Sequence, residues 1–289
     1  MPMKSPISYY GGKQQMIGII LLNIPSHKVY CEPFFGGGAV FFAKQPSKIE
    51  IINDKNDMLI NFYRVMQNNF DELEQQIKSS LHSRSLFNRA KQIYKNPEKF
   101  DDIQKAWSVW TLLTMDYFSW FGSGFLCSTT ENIANRVANR RNRFSEIYKQ
   151  RLEAATIECD DAINIIKKYD TADTFFYLDP PYVNSEQKHY KGYTQKDLNS
   201  LLDILSNIKG KFLLSHFEND CLENKATQKC WNIAKIQSYN GLTSFSNGSG
   251  KKTKIEMLVS NYPIDINLAN TKSKLVYCNY NNYGELFNQ

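Results

Sequence analysis

Apolar and polar residues follow two different periods along this chain. Short apolar runs that end at acids, glycines or prolines favour strands. These runs are VYCEP from Val29, KIEIIND from Lys48, TFFYLD from Thr174, KFLLSHF from Lys211, NIAKIQSY from Asn232 and IEMLVSNYPI from Ile255. Helical spacing appears in the segment that starts at Asn56 and in QKDLNSLLDILSNIKG, which Gly210 ends. Strands that alternate with helices predict an α/β fold with a mostly parallel sheet and helices on both faces.

The alternation stops between about Leu59 and Ala154 and then resumes. This middle span has the pattern of several helices and polar loops, so we expect a mainly helical insertion between two parts of one sheet. The predicted domains are a catalytic domain, 1–66 and 155–289, and an inserted domain, 67–154. Within the insertion, WSVWTLLTMDYFSWF is apolar enough to be a packing core, and GSGFLCSTTEN after it is typical of a loop.

Length and composition narrow the class of protein. A chain of 289 residues that is 42% hydrophobic can bury one large core, or one domain plus an insertion. It contains no run of about 18 apolar residues, and its N-terminus lacks an apolar signal region, so we expect no membrane span and a cytoplasmic location. Six scattered cysteines and four histidines favour reduced thiols and disfavour a metal site. The net charge of +6 permits a polyanionic partner without demonstrating one.

The stretch FFYLDPPYV, Phe175 to Val183, ends a buried strand on an acid, two prolines and a tyrosine. Proline removes a backbone donor, and it restricts the residue before it to extended geometry. The segment therefore places one carboxylate and one aromatic ring on a stiff turn at the carboxyl end of a strand. Ligands of open α/β sheets bind at that edge.

A second segment, EPFFGGGAVFF, has three glycines where a strand gives way to a helix. Without Cβ atoms the backbone can approach a ligand closely, and helix N-terminal N–H groups attract anions. The pattern differs from G-x-G-x-x-G, which disfavours a nicotinamide dinucleotide. Asp54 ends the next strand, where a carboxylate can accept hydrogen bonds from a ribose or an amino group. A plain tight turn with a helix-capping acid is the alternative.

Upstream, SYYGGKQQM offers the ring of Tyr9, two glycines and the cation of Lys13. This segment is either a surface turn or part of a binding site for a carboxylate or phosphate.

Together and in this order, SYYGGK, EPFFGGG, IND and DPPY resemble the motifs of the DNA adenine methylase (Dam) family of N6-adenine DNA methyltransferases. The resemblance covers Met1 to about Asn69 and about Ile157 to Tyr262. The cofactor motif comes before the catalytic motif, with a long insertion between them, which matches the family's alpha order. The resemblance implies a Rossmann-like sheet that binds S-adenosylmethionine, and methyl transfer to adenine in a short double-stranded DNA sequence.

The resemblance also implies roles for individual residues. The implied cofactor contacts are Tyr9, Lys13, Phe34, Phe35, Gly36, Gly38, Asp54 and Asp179. The implied catalytic residues are Asp179, Pro180 and Tyr182. Asp179 and the Pro180 carbonyl would accept hydrogen bonds from the amino group of adenine, and Tyr182 would stack on the flipped base.

The resemblance implies that the insertion is the target-recognition domain. Residues 77–151 hold 13 Lys and Arg against six Asp and Glu. The densest basic stretch is NRVANRRNRF, which supplies the DNA-binding candidates Arg136, Arg140, Arg141 and Arg143. A solvated helix face is the alternative. Family members that read GATC combine an Asn-x-Pro-x-Gly and a Tyr-Lys-x-Pro pattern. This combination does not occur between Leu59 and Ala154, so a GATC target is in doubt.

Two further polar stretches are candidates for contacts with the base or the DNA backbone, or are plain surface loops. They are NSEQKHYKGY after the proline turn and the glycine-rich NGLTSFSNGSGKKTK. His216 is expected to be a packed residue near a strand end rather than a base.

Other hypotheses about the function remain open at this point. They are an RNA or protein amide methyltransferase, a non-catalytic DNA-binding relative, and a dinucleotide oxidoreductase. The missing G-x-G-x-x-G disfavours the last, and the intact DPPY disfavours the second. We expect a monomer, and a restriction endonuclease is a candidate partner.

Overall fold

The computed structural model describes residues 2–9, 13, 16–117, 119, 121, 123–183, 193–239, 253–265 and 274–279. Its helices are α1 (Ile17–Leu22), α2 (Ala39–Ala43), α3 (Asp57–Asn68), α4 (Phe70–Ser79), α5 (Arg84–Lys95), α6 (Asp102–Met115), α7 (Ile133–Arg143), α8 (Ile147–Leu152), α9 (Ala162–Tyr169), α10 (Gln195–Leu205) and α11 (Asp220–Gln228). Its strands are β1 (Val29–Glu32), β2 (Ile49–Asn53), β3 (Ala155–Glu158), β4 (Thr174–Leu178), β5 (Lys211–Phe217), β6 (Asn232–Tyr239), β7 (Thr253–Ser260) and β8 (Lys274–Asn279).

The chain forms two compact units. Unit one contains Met1–Gly12 and Phe35–Ala162, and unit two contains Lys13–Phe34 and Ile163–Gln289. The predicted insertion, 67–154, contains α4 to α8, but the compact units break at other points of the chain. The predicted domain boundaries therefore stay a prediction.

In the described part of unit two, six strands follow the order β1-β4-β5-β7-β6-β8. The strands β1, β4 and β5 run parallel, whereas β7 is antiparallel to both β5 and β6, and β8 is antiparallel to β6. All five residues of β4 are buried. A parallel strand that is covered on both faces is a continuous apolar run, which explains the sequence TFFYL. The predicted α/β fold with parallel strands is confirmed, and β6 to β8 add an antiparallel part.

Unit one pairs β2 with β3 in parallel, with Glu50 opposite Ala155 and Asn53 opposite Glu158. Its helices pack around α6, which contacts α3, α4, α5 and α7. Every residue of α6 from Ala106 to Met115 is buried. The expectation of a packing core in WSVWTLLTMDYFSWF is confirmed from Trp107 to Met115, whereas Tyr117 beyond the end of α6 is exposed. A helix that buries residues on all of its sides is stable only when neighbours surround it.

Candidate active site

The carboxylate of Asp179 lies directly after β4, between the ends of two parallel neighbours of that strand. Three side chains contact it. Lys13 Nζ lies 3.0 Å from Oδ1, Ser215 donates a hydrogen bond of 3.1 Å, and the Tyr182 hydroxyl donates one of 3.2 Å. The Asp179 side chain keeps 23% exposure, so the carboxylate is held in place and still reachable. Pro180, the next residue, is buried.

Burial raises the pKa of Asp179 above its ordinary value of 3.8. The ammonium of Lys13 acts in the opposite direction, and the nearby carboxylate of Glu256 raises the pKa further. A carboxylate with a raised pKa is a stronger proton acceptor than an ordinary aspartate once it is ionised.

Lys13 is buried between two carboxylates. Its Nζ lies 2.6 Å from Glu256 Oε1 and 3.0 Å from Asp179 Oδ1, and it contacts the hydroxyl of Tyr182. Burial alone lowers the pKa of Lys13, but the two carboxylates outweigh it, so the pKa lies above its ordinary value. The structure therefore brings together three residues that the sequence analysis selected, Lys13, Asp179 and Tyr182.

Glu256 is a member of this cluster that the sequence analysis missed. It lies on β7 opposite Phe217 of β5, and it is 6% exposed. Its Oε1 accepts a hydrogen bond of 3.1 Å from the Tyr182 hydroxyl. The available signal was the acid itself, since a lone glutamate inside the apolar run IEMLVS is rarely buried unless it is paired.

The ring of Tyr182 faces inward. Its centroid lies 4.1 Å from that of Phe217 and 5.0 Å from that of His216, and the residue is 7% exposed. Burial raises the pKa of Tyr182 well above 10.0, so the hydroxyl stays protonated and can donate its hydrogen bond to either Asp179 or Glu256. Stacking of this ring on an adenine requires an accessible ring face or a movement of the side chain.

His216 is packed, as expected. Its Nδ1 bonds to the carbonyl of Phe217 at 2.7 Å, and among the described residues its buried Nε2 has no hydrogen-bond partner. Burial lowers the pKa of His216 below 6.5, so the ring is neutral at neutral pH.

In unit one, the three glycines form the turn that leads into α2. Gly36 and Gly38 have φ angles of +49° and +64°, a region that other residues rarely adopt. A Cβ on Gly37 would lie 2.8 Å from Cβ of Tyr9, and a Cβ on Gly38 would lie 2.5 Å from the ring of Phe35. Backbone conformation and close packing therefore account for the glycines, whether or not a ligand approaches them.

Asp54 joins this turn to the start of α3. Its Oδ2 accepts the N–H of Gly36 at 2.9 Å, and its Oδ1 accepts the N–H of Asn56 at 2.9 Å. Burial raises the pKa of Asp54, and backbone hydrogen bonds from Asn56, Gly36 and Lys55 oppose that rise. The Tyr63 hydroxyl donates to the carbonyl of Gly36 at 2.8 Å, so both polar groups of this glycine are held.

A series of aromatic contacts in the same unit, Tyr9–Phe121–Tyr94, connects the glycine turn with α5. Tyr9 packs against Gly36, and its ring meets Phe121 edge-on at 6.0 Å. Phe121 stacks on Tyr94 of α5 at 4.6 Å and an interplanar angle of 11°. The Tyr94 hydroxyl accepts a hydrogen bond of 3.2 Å from Asn56, the cap of α3.

The structure thus brings Tyr9, Phe35, Gly36, Gly38 and Asp54 together in unit one. Phe34 belongs to unit two, where its ring lies edge-on to Tyr193 at 6.3 Å.

The four candidate arginines on α7 lie in two environments. Arg136 and Arg143 are exposed. Arg140 donates to the carbonyls of Leu113 and Thr114 at the end of α6, at 3.4 and 3.3 Å. Burial, together with Arg136 and Arg143, lowers the pKa of Arg140 to about 10.

Arg141 donates to the carbonyl of Ser80, at 3.5 Å. Arg140 and Arg141 thus bond to carbonyls near the ends of α6 and α4, a contact that stabilises helix C-termini. The DNA-binding role of all four arginines stays a prediction.

The helical region contains one half of the pattern that GATC-reading members combine. Tyr94-Lys95-Asn96-Pro97 matches Tyr-Lys-x-Pro, and no Asn-x-Pro-x-Gly precedes it. It ends α5 and begins the 3₁₀ helix Pro97–Lys99. The doubt about a GATC target therefore rests on the absence of an Asn-x-Pro-x-Gly pattern before Tyr94.

The two polar stretches NSEQKHYKGY and NGLTSFSNGSGKKTK lie almost wholly outside the described residues. Within the described part, no three His, Cys, Asp or Glu side chains are grouped to hold a metal ion. The described helices also include none that is long and apolar enough to cross a membrane.

Comparisons with known proteins identify the family of this chain. Residues 9–245 match the family model of the D12 class N6 adenine-specific DNA methyltransferases. The chain is 27% identical to the type II methyltransferase M1.LlaDCHI of Lactococcus lactis subsp. cremoris, over 87% of this chain and 93% of that protein. It is 27% identical to the type II methyltransferase M.MjaIII of Methanocaldococcus jannaschii, over 91% of this chain and 100% of that protein.

The chain is also 23% identical to the DNA adenine methylase of Escherichia coli (strain K12), over 89% of this chain and 94% of that protein. Among solved structures, an rRNA methylase from Streptococcus thermophilus superposes with a TM-score of 0.33 at 8% identity, over 86% of this chain and 95% of that one. That likeness is too low to support any inference. The family match covers most of the chain, and we conclude that this protein belongs to the D12 class N6 adenine-specific DNA methyltransferases and methylates adenine at specific sites in DNA.

Proposed function

We propose that the protein transfers a methyl group from S-adenosylmethionine to N6 of an adenine that is flipped out of a short double-stranded sequence. Asp179, Pro180 and Tyr182 are the proposed catalytic residues. The observation that carries the proposal is the Asp179 carboxylate, fixed at the end of β4 by Lys13 and Ser215 and still partly exposed.

The chemistry of the acceptor explains why such a carboxylate is needed. The lone pair of adenine N6 is delocalised into the ring, so N6 is a weak nucleophile. Asp179 accepts a hydrogen bond from one N6 proton, and the Pro180 carbonyl accepts one from the other. Both acceptors concentrate electron density on N6 and stabilise the positive charge that develops there. The raised pKa of Asp179 suits its carboxylate to take the proton that N6 loses.

S-adenosylmethionine supplies a methyl group that its sulfonium already activates. The proposed contacts are Tyr9, Lys13, Phe34, Phe35, Gly36, Gly38, Asp54 and Asp179. In unit one, the donors and acceptors present fit such a ligand. A carboxylate has roughly four acceptor positions, and backbone N–H groups of Gly36, Asn56 and Lys55 use three at Asp54. The remaining position suits a ribose hydroxyl or an ammonium group, and the half-buried ring of Tyr9 offers a flat apolar surface.

The DNA partner is proposed to meet the exposed arginines of α7, Arg136 and Arg143, together with Arg140 and Arg141. A restriction endonuclease is proposed as a partner in the same system, since two relatives of this chain carry type II methyltransferase names. A monomeric state and a cytoplasmic location complete the proposal.

Transfer of a labelled methyl group tests the reaction directly. The purified chain is incubated with unmethylated genomic DNA and S-adenosylmethionine that carries a tritiated methyl group, and the DNA is then digested to nucleosides. We expect the label in N6-methyldeoxyadenosine, and single-molecule sequencing of host DNA gives the recognition sequence. Label on cytosine, or DNA without label, would contradict the proposal.

A further inference from the structure

We propose that Glu256 is a positioning residue for methyl transfer, which holds Lys13 and the Tyr182 hydroxyl and gives the buried cluster a net negative charge. The inference rests on the proposed function, because it assigns Glu256 a task in the reaction at Asp179. Glu256 reaches the reaction through Lys13 and Tyr182, and none of the roles proposed above includes it.

Glu256 contacts the same two side chains as the catalytic carboxylate of Asp179, namely Lys13 and Tyr182. Its Oε1 lies 2.6 Å from Lys13 Nζ, whereas Asp179 Oδ1 lies 3.0 Å from the same nitrogen. The Tyr182 hydroxyl lies 3.1 Å from Glu256 and 3.2 Å from Asp179. One ammonium and one hydroxyl thus serve two carboxylates. The closer contact of Lys13 with Glu256 leaves Asp179 only partly neutralised.

The strands fix this arrangement. Glu256 projects from β7, which pairs with β5 on one side and β6 on the other, so its backbone is held by two neighbours. Its partner residues are buried as well: Lys13 is 5% exposed and Tyr182 is 7% exposed. A buried carboxylate is tolerated only where it is paired and hydrogen-bonded, and both conditions hold here.

The charges sum to one negative unit. Asp179 and Glu256 each carry a negative charge when ionised, and Lys13 carries the single positive charge between them. Three neighbouring titratable groups, His216, Tyr177 and Tyr182, stay neutral near pH 7, because burial lowers the pKa of His216 and raises those of the two tyrosines. Further charged groups of unit two, on β1 and β6, are Glu32 and Lys235.

Glu32 on β1 accepts a hydrogen bond of 2.7 Å from Tyr30, and it acts on Tyr177. On the neighbouring strand β6, Lys235 is paired with Glu218 and Glu223, at 3.2 and 2.8 Å.

A negative cluster favours this reaction for a simple reason. The acceptor nitrogen becomes positive as the methyl group arrives, and a nearby negative charge stabilises that developing charge. With a neutral residue at 256, Lys13 would be balanced by Asp179 alone, and the cluster would lose its excess negative charge. Asp179 would then attract a developing positive charge less strongly, because the ammonium of Lys13 would neutralise its carboxylate.

The test compares Glu256→Gln with Glu256→Asp. Glutamine keeps the size of the side chain and an acceptor oxygen but removes the charge. We expect kcat for DNA methylation to fall about 10- to 100-fold, less than the loss of a direct contact to the reacting group. We expect Kd values for S-adenosylmethionine and DNA to change less than about threefold. The acidic limb of the pH profile should move to lower pH, since Glu256 raises the pKa of Asp179. Glu256→Asp should recover part of kcat and leave the limb in place.

Glu218→Gln is the matched control. Glu218 also pairs with a lysine in unit two, but its side chain is 46% exposed, so wild-type kcat is expected. Circular dichroism checks folding. Wild-type kcat with an unmoved acidic limb in folded Glu256→Gln would overturn the inference. If that variant does not fold, Glu256→Asp decides: reduced kcat supports the inference, and wild-type kcat overturns it. A wild-type protein that methylates no adenine would contradict the proposed function instead.

Discussion

The Oδ2 atom of Asp54 accepts a hydrogen bond of 2.9 Å from the backbone N–H of Gly36. This bond ties the end of β2 to the glycine turn, so Asp54 shapes the turn besides offering an acceptor to a ligand. Replacement of Asp54 therefore changes two measurable properties, the stability of the fold and the affinity for the cofactor.

We expect Asp54→Ala to lower the free energy of unfolding by about 1–3 kcal/mol, because it leaves buried backbone N–H groups without an acceptor. We also expect at least a tenfold rise in the Kd for S-adenosylmethionine, on the order of one lost charged hydrogen bond. Urea unfolding and calorimetry measure the two effects. Asp161→Ala is the control, because Asp161 is 47% exposed and pairs with Lys55 at the surface. Unchanged cofactor affinity would move the binding site away from Asp54.

Asp179→Ala should reduce methyl incorporation into DNA by about 100-fold or more, the typical cost of losing one such contact in the transition state. DNA affinity should hardly change, since this residue makes no predicted phosphate contact. Filter binding and tritium transfer give the two values. A rate above about a tenth of wild type would exclude the catalytic role.

The pH dependence of the wild-type enzyme follows from the same carboxylate. Asp179 must be ionised to accept a hydrogen bond from N6, and burial raises its pKa above 3.8. The acidic limb of kcat should therefore lie above pH 3.8. Folding stability changes with pH in the opposite direction to kcat. Because the pKa of Asp179 is higher in the folded state, this residue contributes stability below pH 3.8, and that contribution is lost as the pH rises through the pKa of the folded state. A pH–rate profile with a limb at or below 3.8 would contradict this assignment.

Lys13→Ala should weaken the binding of S-adenosylmethionine and destabilise the fold. It leaves the carboxylates of Asp179 and Glu256 close together without their shared cation, and the loss of one partner from a buried pair costs about 3 kcal/mol. Calorimetry and thermal unfolding measure both effects. Lys28→Ala is a suitable control, since Lys28 pairs with Asp173 on the surface of the same unit. If both properties stay at wild-type values, Lys13 has neither role.

The arginines of α7 should separate into two groups. The double change Arg136→Ala and Arg143→Ala should flatten the salt dependence of DNA affinity by roughly one unit per lost phosphate contact. Arg140→Ala should instead lower stability, because Arg140 bonds to the carbonyls that end α6. Lys78→Ala, an exposed cation on α4, controls for general charge. If the double variant keeps the wild-type slope, these arginines are only a solvated helix face.

Phe121→Ala tests the aromatic series between Tyr94 and Tyr9. The change removes the edge contact between Phe121 and the ring of Tyr9, a kind of aromatic pair worth about 0.5–1.5 kcal/mol, and we expect the Kd for S-adenosylmethionine to rise about two- to tenfold. Tyr117→Ala is the control, because Tyr117 is 58% exposed. Equal cofactor affinity in both variants would show that the helical region does not influence the cofactor site.

The local features of this protein were predictable from its amino-acid sequence. The run TFFYL specified a buried strand, and Asp-Pro-Pro specified where that strand stops, because proline cannot continue a ladder. The glycine turn was likewise predictable, since Gly36 and Gly38 adopt positive φ angles that strongly favour glycine. The packing of the run from Trp107 to Met115 was also predictable, because a segment this apolar must be surrounded by neighbours.

Contacts between residues that are distant in sequence could be seen only in the folded chain. Glu256 is 74 positions from Tyr182 in sequence, and it reaches the cluster because β7 lies between β5 and β6, an order that local periodicity does not encode. The contact of Arg140 with α6 could not be predicted from the sequence either, since charge alone does not distinguish a phosphate contact from a carbonyl contact. Local sequence sets backbone conformation and the buried face of each element, whereas the pairing of charges depends on how those elements pack.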